Sequence, residues 1–252
     1  MLTQHTLDKL HDMKLTAMAE AFTQQLAQPD LQDLSFEDRF AMLVDRQWSF
    51  KEDRRINRLL KTARLRDSAC IENIDFRAPR CLDKSLVLRL TNTDWIKKAQ
   101  NVIILGATGV GKTYLACAIA NSACRGGYPA MHKRAPRLYQ EIAIARADGS
   151  YPKLMNKLAK IKVLIIDDFC IAPMSDPERR DLLEVLEDRQ SISSTIIATQ
   201  LPIENWIEHI GDPTLADAIM DRLVHNSHKI ILKGESMRKV YSSLTKSKNS
   251  GK

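Results

Sequence analysis

The chain has 252 residues, of which 44% are hydrophobic and 27% are charged, and its formal net charge is +7. This length and balance are typical of a globular protein with one medium α/β domain and a smaller appendage. The sequence has no run of about 18 apolar residues and no apolar signal core, which argues against a membrane span and against export. Five cysteines without a CxxC pair argue for free thiols, and against disulfides or a zinc site, so we expect a cytoplasmic protein.

The basic residues are concentrated in two stretches of the chain. Residues 46–66 contain eight Lys and Arg against two Asp and Glu, and residues 222–252 contain eight against one. Residues 1–45 are acidic, with three against eight, and residues 67–221 are nearly neutral, with 19 against 20. Such segregation favours contact with a polyanion such as nucleic acid, although a basic stretch is often only a solvated helix face.

Residues 1–70 are predicted to form a helical N-terminal domain. Apolar residues recur at three- and four-residue steps from Leu7 to Leu26, and a second helix is expected after Ser35, which opens a capping-box pattern. The apolar face of this second helix is predicted to include Phe36, Phe40, Leu43 and Val44. A third helical stretch, over residues 51–64, is basic around most of its circumference.

Residues 71–100 contain Pro79 and several polar breaks, and are predicted to be a linker with a short helix near residues 84–90. From Asn101 onward, apolar strands alternate with amphipathic helices, which is typical of a parallel sheet covered on both faces. The strands are predicted at residues 102–105, 128–133, 162–167, 194–199 and 228–232. The helices are predicted at residues 111–124, 136–147, 177–190 and 213–224. Residues 246–252 are polar and are predicted to be a disordered tail.

The strongest pattern is a full match to GxxxxGK[ST], which lies between an apolar strand and a helical run. The matching residues are Gly106, Ala107, Thr108, Gly109, Val110, Gly111, Lys112 and Thr113. Glycines let such a P-loop curl until its N–H groups point at phosphate oxygens, and the helix N-terminus adds a partial positive charge. Lys112 is expected to reach the β- and γ-phosphates, and the Thr113 hydroxyl to ligate Mg²⁺. The sequence therefore predicts a site for ATP and Mg²⁺.

Two adjacent carboxylates, Asp167 and Asp168, end a second apolar strand. The carboxyl end of a parallel strand is where α/β sheets place their ligands, so Asp167 is predicted to be the second Mg²⁺ anchor. Asp168 takes the next position, where many hydrolysing relatives carry a glutamate that polarises the attacking water. An acidic turn that merely closes a strand is the alternative, and the P-loop upstream argues against it.

Four segments together resemble the IstB-like proteins, ATP-binding helpers of insertion-sequence transposition that are related to the helicase loader DnaC and the initiator DnaA. They are GATGVGKTYLACAIA, VLIIDDF, STIIATQLPIENW and DAIMDRLVHNSHKIILKGESMRK. The resemblance covers roughly residues 1–245, and it implies a P-loop AAA+ fold with an ATPase core at 101–245. It also implies double-stranded DNA and an IstA-like transposase as partners, and a homo-oligomeric ring or spiral.

Further site residues follow from matching positions in that family. Thr199, with Gln200 as the close second choice, occupies the sensor-1 position, where a polar side chain reads the γ-phosphate. Arg222 lies where relatives present an arginine finger to a neighbouring subunit, and a surface ion pair with Asp217 or Asp221 is the alternative. Arg238 resembles the sensor-2 arginine of the nucleotide site, with a plain basic tail residue as the alternative.

Two features depart from the standard AAA+ pattern. Asp168 is one methylene shorter than the usual glutamate, so we expect hydrolysis to be slow, or to be stimulated by DNA or a partner. Only residues 233–252 follow the last predicted strand, which is too short a segment for a separate helical lid, so the lid is expected to be reduced or absent.

Aromatic and histidine residues offer weaker candidates. Trp48, Trp95 and Trp206 are predicted to pack in the protein interior, and Trp95 is the one to test for contact with adenine. His225 and His228 are spaced like metal ligands, but no carboxylate or cysteine completes a set, so they are expected to flank a strand.

Three other functions stay open at this point. A replicative helicase loader of the DnaC type shares the core and differs in the partner of residues 1–70. A non-hydrolysing, ATP-gated DNA adaptor is compatible with Asp168, and a small-molecule kinase would need an acceptor pocket and a lid. The basic stretch 46–66 is predicted to contact DNA or a partner protein, and its charges do not separate these two.

Overall fold

The computed structural model describes residues 2–66 and 69–237, which divide into two compact units between Arg58 and Leu59. The first unit contains α1 (Leu2–Asp12), α2 (Thr16–Ala27), a 3₁₀ turn (Pro29–Asp33) and the first part of α3 (Phe36–Ala63). Within these described ranges, no helix combines the length and the apolar character that a membrane crossing requires.

Helix α2 packs against α3 inside the first unit. Ala17 and Ala19 of α2 and Leu43 of α3 are buried, and the Met18 N–H donates a hydrogen bond of 3.1 Å to Oε1 of Gln47. The predicted Ser35 cap is present, because Oγ of Ser35 accepts from the Asp38 N–H at 3.1 Å. The predicted second and third helices are one continuous helix of 28 residues. No Gly or Pro interrupts this stretch, so nothing in its backbone forces a break.

The predicted apolar face of α3 is only partly buried. Leu43 is buried, whereas Phe36 is 68% exposed and Trp48 is 67% exposed. The expectation that Trp48 packs in the interior is therefore wrong for the described chain. The same expectation is correct for Trp95 and Trp206, which are 3% and 0% exposed.

The second unit is built on five parallel strands in the spatial order β2-β3-β4-β1-β5. The strands are β1 (Asn101–Gly106), β2 (Ala130–Arg134), β3 (Val163–Asp167), β4 (Ser194–Thr199) and β5 (Ser227–Leu232). Because all strands run the same way, their carboxyl ends meet at one edge of the sheet, where α/β folds bind ligands. The P-loop after β1 and the two aspartates after β3 therefore lie at the same edge.

Helices cover both faces of this sheet. They are α4 (Lys84–Thr91), α5 (Asp94–Lys97), α6 (Lys112–Arg125), α7 (Ala135–Asp148), α8 (Tyr151–Lys160), α9 (Asp176–Glu187), α10 (Trp206–Ile210) and α11 (Pro213–Val224). One apolar cluster joins the sheet to α4, α5 and α6, and a second joins it to α7 through α11. The fold is thus the predicted three-layer α/β/α arrangement, and α5, α8 and α10 are helices that the sequence pattern did not indicate.

Residues 71–100 do not bridge two bodies as a predicted linker would. Ile71, Ile74 and Val87 are buried in the cluster under α6, and the Trp95 Nε1–H donates a hydrogen bond of 2.9 Å to the Leu90 carbonyl. The second unit also starts before the predicted boundary at residue 70, because Ala63 and Ala69 belong to the same cluster. Polar residues between these apolar ones hide the burial from a periodicity argument. The predicted tail at residues 246–252 lies outside the described residues.

Candidate functional site

The P-loop leaves β1 at Gly106 and enters α6 at Lys112. Two of its glycines need the left-handed backbone that side chains disfavour, with φ of 86° at Gly109 and 101° at Gly111. At Gly109 a Cβ would also lie 2.1 Å from Oγ of Ser236, because the chain after β5 returns over the loop. These constraints fix the turn that aims backbone N–H groups and the N-terminus of α6 at an anion.

A cavity of about 730 Å³ opens beside the loop. The P-loop and the first turn of α6 form one wall, and Asp168, Gln200 and Met237 line it from neighbouring segments. A further wall comes from Asn73, Asp75 and Arg80, in the stretch that was predicted to be a linker, and from Arg66, in the predicted helical domain. A cavity of this volume falls within the range of small-molecule and cofactor sites.

The two predicted Mg²⁺ anchors lie side by side. Oγ1 of Thr113 donates a hydrogen bond of 2.9 Å to Oδ2 of Asp167, across the edge of the sheet. Among the described residues, no group of three His, Cys, Asp or Glu side chains is placed to hold a metal by itself. Mg²⁺ at nucleotide sites takes one or two protein oxygens and completes its octahedron with phosphate oxygens and water. A hydroxyl and a carboxylate beside the P-loop fit that requirement.

His132 is a neighbour of Asp167 that the sequence analysis missed. Its Nε2 lies 3.3 Å from Oδ2 of Asp167, and the two side chains are 8% and 1% exposed. Burial raises the pKa of Asp167, but the hydrogen bonds with His132 and Thr113 together outweigh this effect. The pKa of Asp167 therefore lies below its ordinary value. The carboxylate of Asp167 is therefore ionised at neutral pH.

Lys112 is 8% exposed, and its Nζ donates a hydrogen bond of 2.9 Å to the carbonyl of Ala107 across the loop. Its ammonium group is thus held over the curl of the P-loop.

Asp168 lines the cavity, but its carboxylate is already paired. Oδ2 of Asp168 accepts a hydrogen bond of 2.6 Å from Nε of Arg134, at the end of β2. Asp168 also has a φ of 55°, a left-handed conformation that few non-glycine residues adopt. Its predicted role in orienting water stays a prediction, and Arg134 is a second partner that the sequence analysis missed.

The structure corrects the choice between Thr199 and Gln200. Thr199 is fully buried, and its Oγ1 donates to the Phe169 carbonyl at 2.7 Å and accepts from the Leu201 N–H at 3.1 Å. Gln200 lines the cavity instead, and its Oε1 accepts a hydrogen bond of 2.6 Å from Thr108 Oγ1. Successive residues at a strand end face opposite ways, so a one-residue ambiguity exchanges the site residue for a buried one.

The two predicted arginines have different outcomes. Arg222 does not line the cavity, and its Nη2 pairs with Oε1 of Glu187 at 2.8 Å, not with either aspartate that was considered. A position away from its own cavity is what an arginine acting on a neighbour requires, so that role stays a prediction. Arg238 lies outside the described residues. The five residues before it, 233–237, run back over Gly109 through a 2.9 Å hydrogen bond from the Met237 N–H.

Trp95 does not line the cavity and is buried against Leu90, so it is not placed to contact a base there. His228 lies in β5, where its Nε2 is 3.0 Å from Oε1 of Gln100, and His225 lies 3.5 Å from Asp221 on the surface. His225 precedes the last strand, as expected, whereas His228 lies within it. The missed residues His132 and Arg134 both lie on β2, next to the strand that ends in Asp167. The pairing of β2 with β3 sets Arg134 opposite Asp167, and His132 opposite Ile165.

Similarity to known proteins agrees with this geometry. The insertion sequence ATP-binding protein y4pL of Sinorhizobium fredii is 45% identical over 239 residues, which cover 95% of this chain and 98% of y4pL. Among solved structures, DnaI has a TM-score of 0.57 at 20% identity, and the match covers 70% of this chain and 93% of DnaI.

The AMPPCP-bound DnaA of Aquifex aeolicus has a TM-score of 0.55 at 17% identity, over 74% of this chain and 57% of DnaA. At these identities the structural matches establish the fold, which is that of the AAA+ P-loop proteins. The sequence profile described as IstB-like ATP binding protein matches residues 8–245. The chain therefore belongs to the IstB-like ATP-binding protein family, and the resemblance seen in its motifs is confirmed.

Proposed function

We propose that this protein is an ATP-dependent, DNA-binding helper of transposition that oligomerises on duplex DNA and recruits or activates a transposase. The observation that carries the proposal is the 2.9 Å contact between Thr113 and Asp167 beside a P-loop, in a chain whose relative y4pL is named for an insertion sequence. The proposal includes a cytoplasmic location, which the free thiols favour.

Hydrolysis of ATP to ADP and phosphate is part of the proposal. The P-loop amides and Lys112 hold the phosphates, while Thr113 and Asp167 would hold Mg²⁺. When bound, that ion neutralises charge on the β- and γ-phosphate oxygens. Gln200 contacts the γ-phosphate. Asp168 accepts a hydrogen bond from the water that attacks the γ-phosphate. The ion pair with Arg134 already engages one oxygen of this carboxylate, which is consistent with slow basal turnover.

Contact with DNA is assigned to the basic stretch 46–66. All eight Lys and Arg side chains of this stretch are exposed, against two acidic residues. Contact through such side chains is mostly with phosphates, so affinity should fall steeply with salt and depend little on base sequence. Binding that persists unchanged to about 0.5 M salt would contradict this assignment.

Oligomerisation is proposed because the nucleotide site at the edge of the sheet would be completed by Arg222 from a neighbouring subunit. The exposed helical surface of α1, α2 and α3, including Trp48, is assigned to the transposase or to DNA. Names of relatives favour a transposase over a helicase as partner, because y4pL belongs to an insertion sequence.

A second candidate function is a non-hydrolysing, ATP-gated DNA adaptor. The Arg134–Asp168 ion pair favours it, because it engages the carboxylate that the hydrolytic function would use to orient water. Turnover measured with and without duplex DNA separates the two functions. Phosphate release that stays at the uncatalysed rate under both conditions would establish the adaptor.

The assembly is tested by sizing the protein with light scattering, with and without duplex DNA, in ADP and in a non-hydrolysable ATP analogue. We expect large DNA-bound assemblies with the analogue and small species with ADP. Assembly on DNA in ADP alone would contradict the proposed cycle. Replacing Arg54, Arg55 and Arg58 by Gln should weaken DNA binding, whereas the same change at Lys153, Lys157 and Lys160, also exposed, should not.

A further inference from the structure

Arg80 is a buried cation in the wall of the nucleotide cavity that no motif assigns. It is 6% exposed, lines the cavity, and comes from the stretch before β1 that was predicted to be a linker. Burial of a guanidinium group is costly unless its donors find acceptors. The position of Arg80 therefore calls for an explanation in terms of what it binds.

The backbone around Arg80 is fixed to the sheet. The carbonyl of Arg80 accepts a hydrogen bond of 3.0 Å from the Lys233 N–H, at the end of β5, which pairs with β1. Its neighbour Pro79 approaches Gly234 so closely that a Cβ there would lie 2.5 Å from the Pro79 carbonyl oxygen. Nη2 of Arg80 donates 3.0 Å to the Asp75 carbonyl. The Arg80 side chain is thus held in place through Nη2 by the carbonyl of Asp75.

The rest of the guanidinium faces the P-loop. Nη1 of Arg80 lies 2.8 Å from where a Cβ on Gly111 would stand, so the group lies against the backbone of the loop. Nε of Arg80 is buried and has no hydrogen-bond partner. A buried donor without an acceptor costs free energy that a bound ligand would recover. Arg80 also lines the cavity, which has room for such a ligand.

We propose that Arg80 binds the α- and β-phosphates of the nucleotide, as a second cation on the side of the loop away from the γ-phosphate. This inference rests on the proposed nucleotide binding. The backbone at the start of a P-loop helix cradles the α- and β-phosphates, and Arg80 lies against Gly111 at that point. Asp168 and Gln200 follow the neighbouring strands β3 and β4 and serve the γ-phosphate end. The planar guanidinium, with donors on one edge, matches phosphate oxygens.

The test measures affinities for ADP and ATP by calorimetry in the full chain with Arg80→Gln. We expect both affinities to fall by about tenfold or more, with their ratio unchanged, because a charge-assisted bond to the shared phosphates is lost. The matched control is Arg77→Gln, which removes an exposed arginine three residues away and should change either affinity by less than about twofold. Unchanged ADP and ATP affinities in Arg80→Gln, or a loss for ATP alone, would overturn the proposal.

Folding is followed by thermal melting without nucleotide. Should Arg80→Gln not melt cooperatively, Arg80→Lys decides, since it keeps the charge but cannot reach Asp75 and the ligand together. We expect about threefold or greater loss for both nucleotides, and wild-type affinity in Arg80→Lys would overturn the assignment. Wild-type protein that binds neither nucleotide would contradict the proposed function itself, which is a different outcome from unchanged variants.

Discussion

Arg134 Nε lies 2.6 Å from Oδ2 of Asp168, so the carboxylate that we propose orients the attacking water is held by an ion pair from the adjacent strand. The Arg134 side chain is 52% exposed and that of Asp168 is 20% exposed. A pair this accessible is weak and can exchange for other partners. We therefore expect ATP turnover to depend on which groups compete with Asp168 for Arg134.

Replacing Arg134 by Gln should raise basal ATP turnover by up to about fivefold. A half-exposed ion pair is worth up to about 1 kcal/mol, and removing it would lower the activation barrier by that amount. Phosphate release without DNA measures it. Arg137→Gln, which removes an exposed arginine from the first turn of α7, is the matched control and should leave turnover unchanged. A fall in turnover in Arg134→Gln would show that the pair does not restrain Asp168.

Gln200→Ala should reduce the preference for ATP over ADP, because Gln200 lines the cavity and Thr199 does not. Thr199→Val should leave that preference intact and lower the free energy of unfolding by about 1–3 kcal/mol, since two buried hydrogen bonds lose their hydroxyl. Nucleotide affinities and urea unfolding of both variants check these outcomes. If Thr199→Val alone lost the preference for ATP over ADP, Thr199 and not Gln200 would be the residue that contacts the γ-phosphate.

Arg222→Ala should leave ATP affinity unchanged and lower turnover of the assembled protein by about 10³-fold or more, the usual contribution of an arginine finger. Mixing Arg222→Ala with Asp167→Asn should restore part of the activity, because one subunit supplies the site and the other the arginine. Glu187→Gln frees Arg222 from its 2.8 Å partner without removing it, and should retain activity. No recovery on mixing would argue against action in trans.

The thiols should react in a fixed order with a disulfide reagent at pH 8. Cys81 is exposed and should react at once, and Cys70 is half-buried and should react more slowly. Burial raises the pKa of Cys124 to about 11 and that of Cys170 to about 12, so both stay protonated and inert in the folded protein. Cys117 is buried as well, and we expect it to react, like Cys124 and Cys170, only after unfolding. More than two reactive thiols in native protein would contradict this packing.

The strands, the P-loop and Asp167 could be predicted from the sequence because their signals are local. An apolar run, a glycine pattern and a carboxylate at a strand end each state their own position. All five strands lie within two residues of their predicted bounds. The profile match and the structural neighbours confirm the family and the fold.

What could not be predicted depends on contacts between distant segments. His132 reaches Asp167 only because β2 is the spatial neighbour of β3, which a single sequence does not state. Arg80 reaches Gly111 only because residues 79–80 are tied to the chain after β5. Thr199 and Gln200 were exchanged because the exact end of β4 decides which of two adjacent side chains faces the cavity.

The proposed function requires that the P-loop binds ATP together with a metal held by Thr113 and Asp167. Calorimetric ATP affinity, measured with Mg²⁺ and with EDTA for the wild-type protein and Lys112→Ala, tests it most directly. We predict tight binding by the wild type that weakens in EDTA, and a loss of about 100-fold or more in Lys112→Ala, because a buried charge pair is removed. Equal affinity in wild type and Lys112→Ala, or no ATP binding by either, would contradict the account.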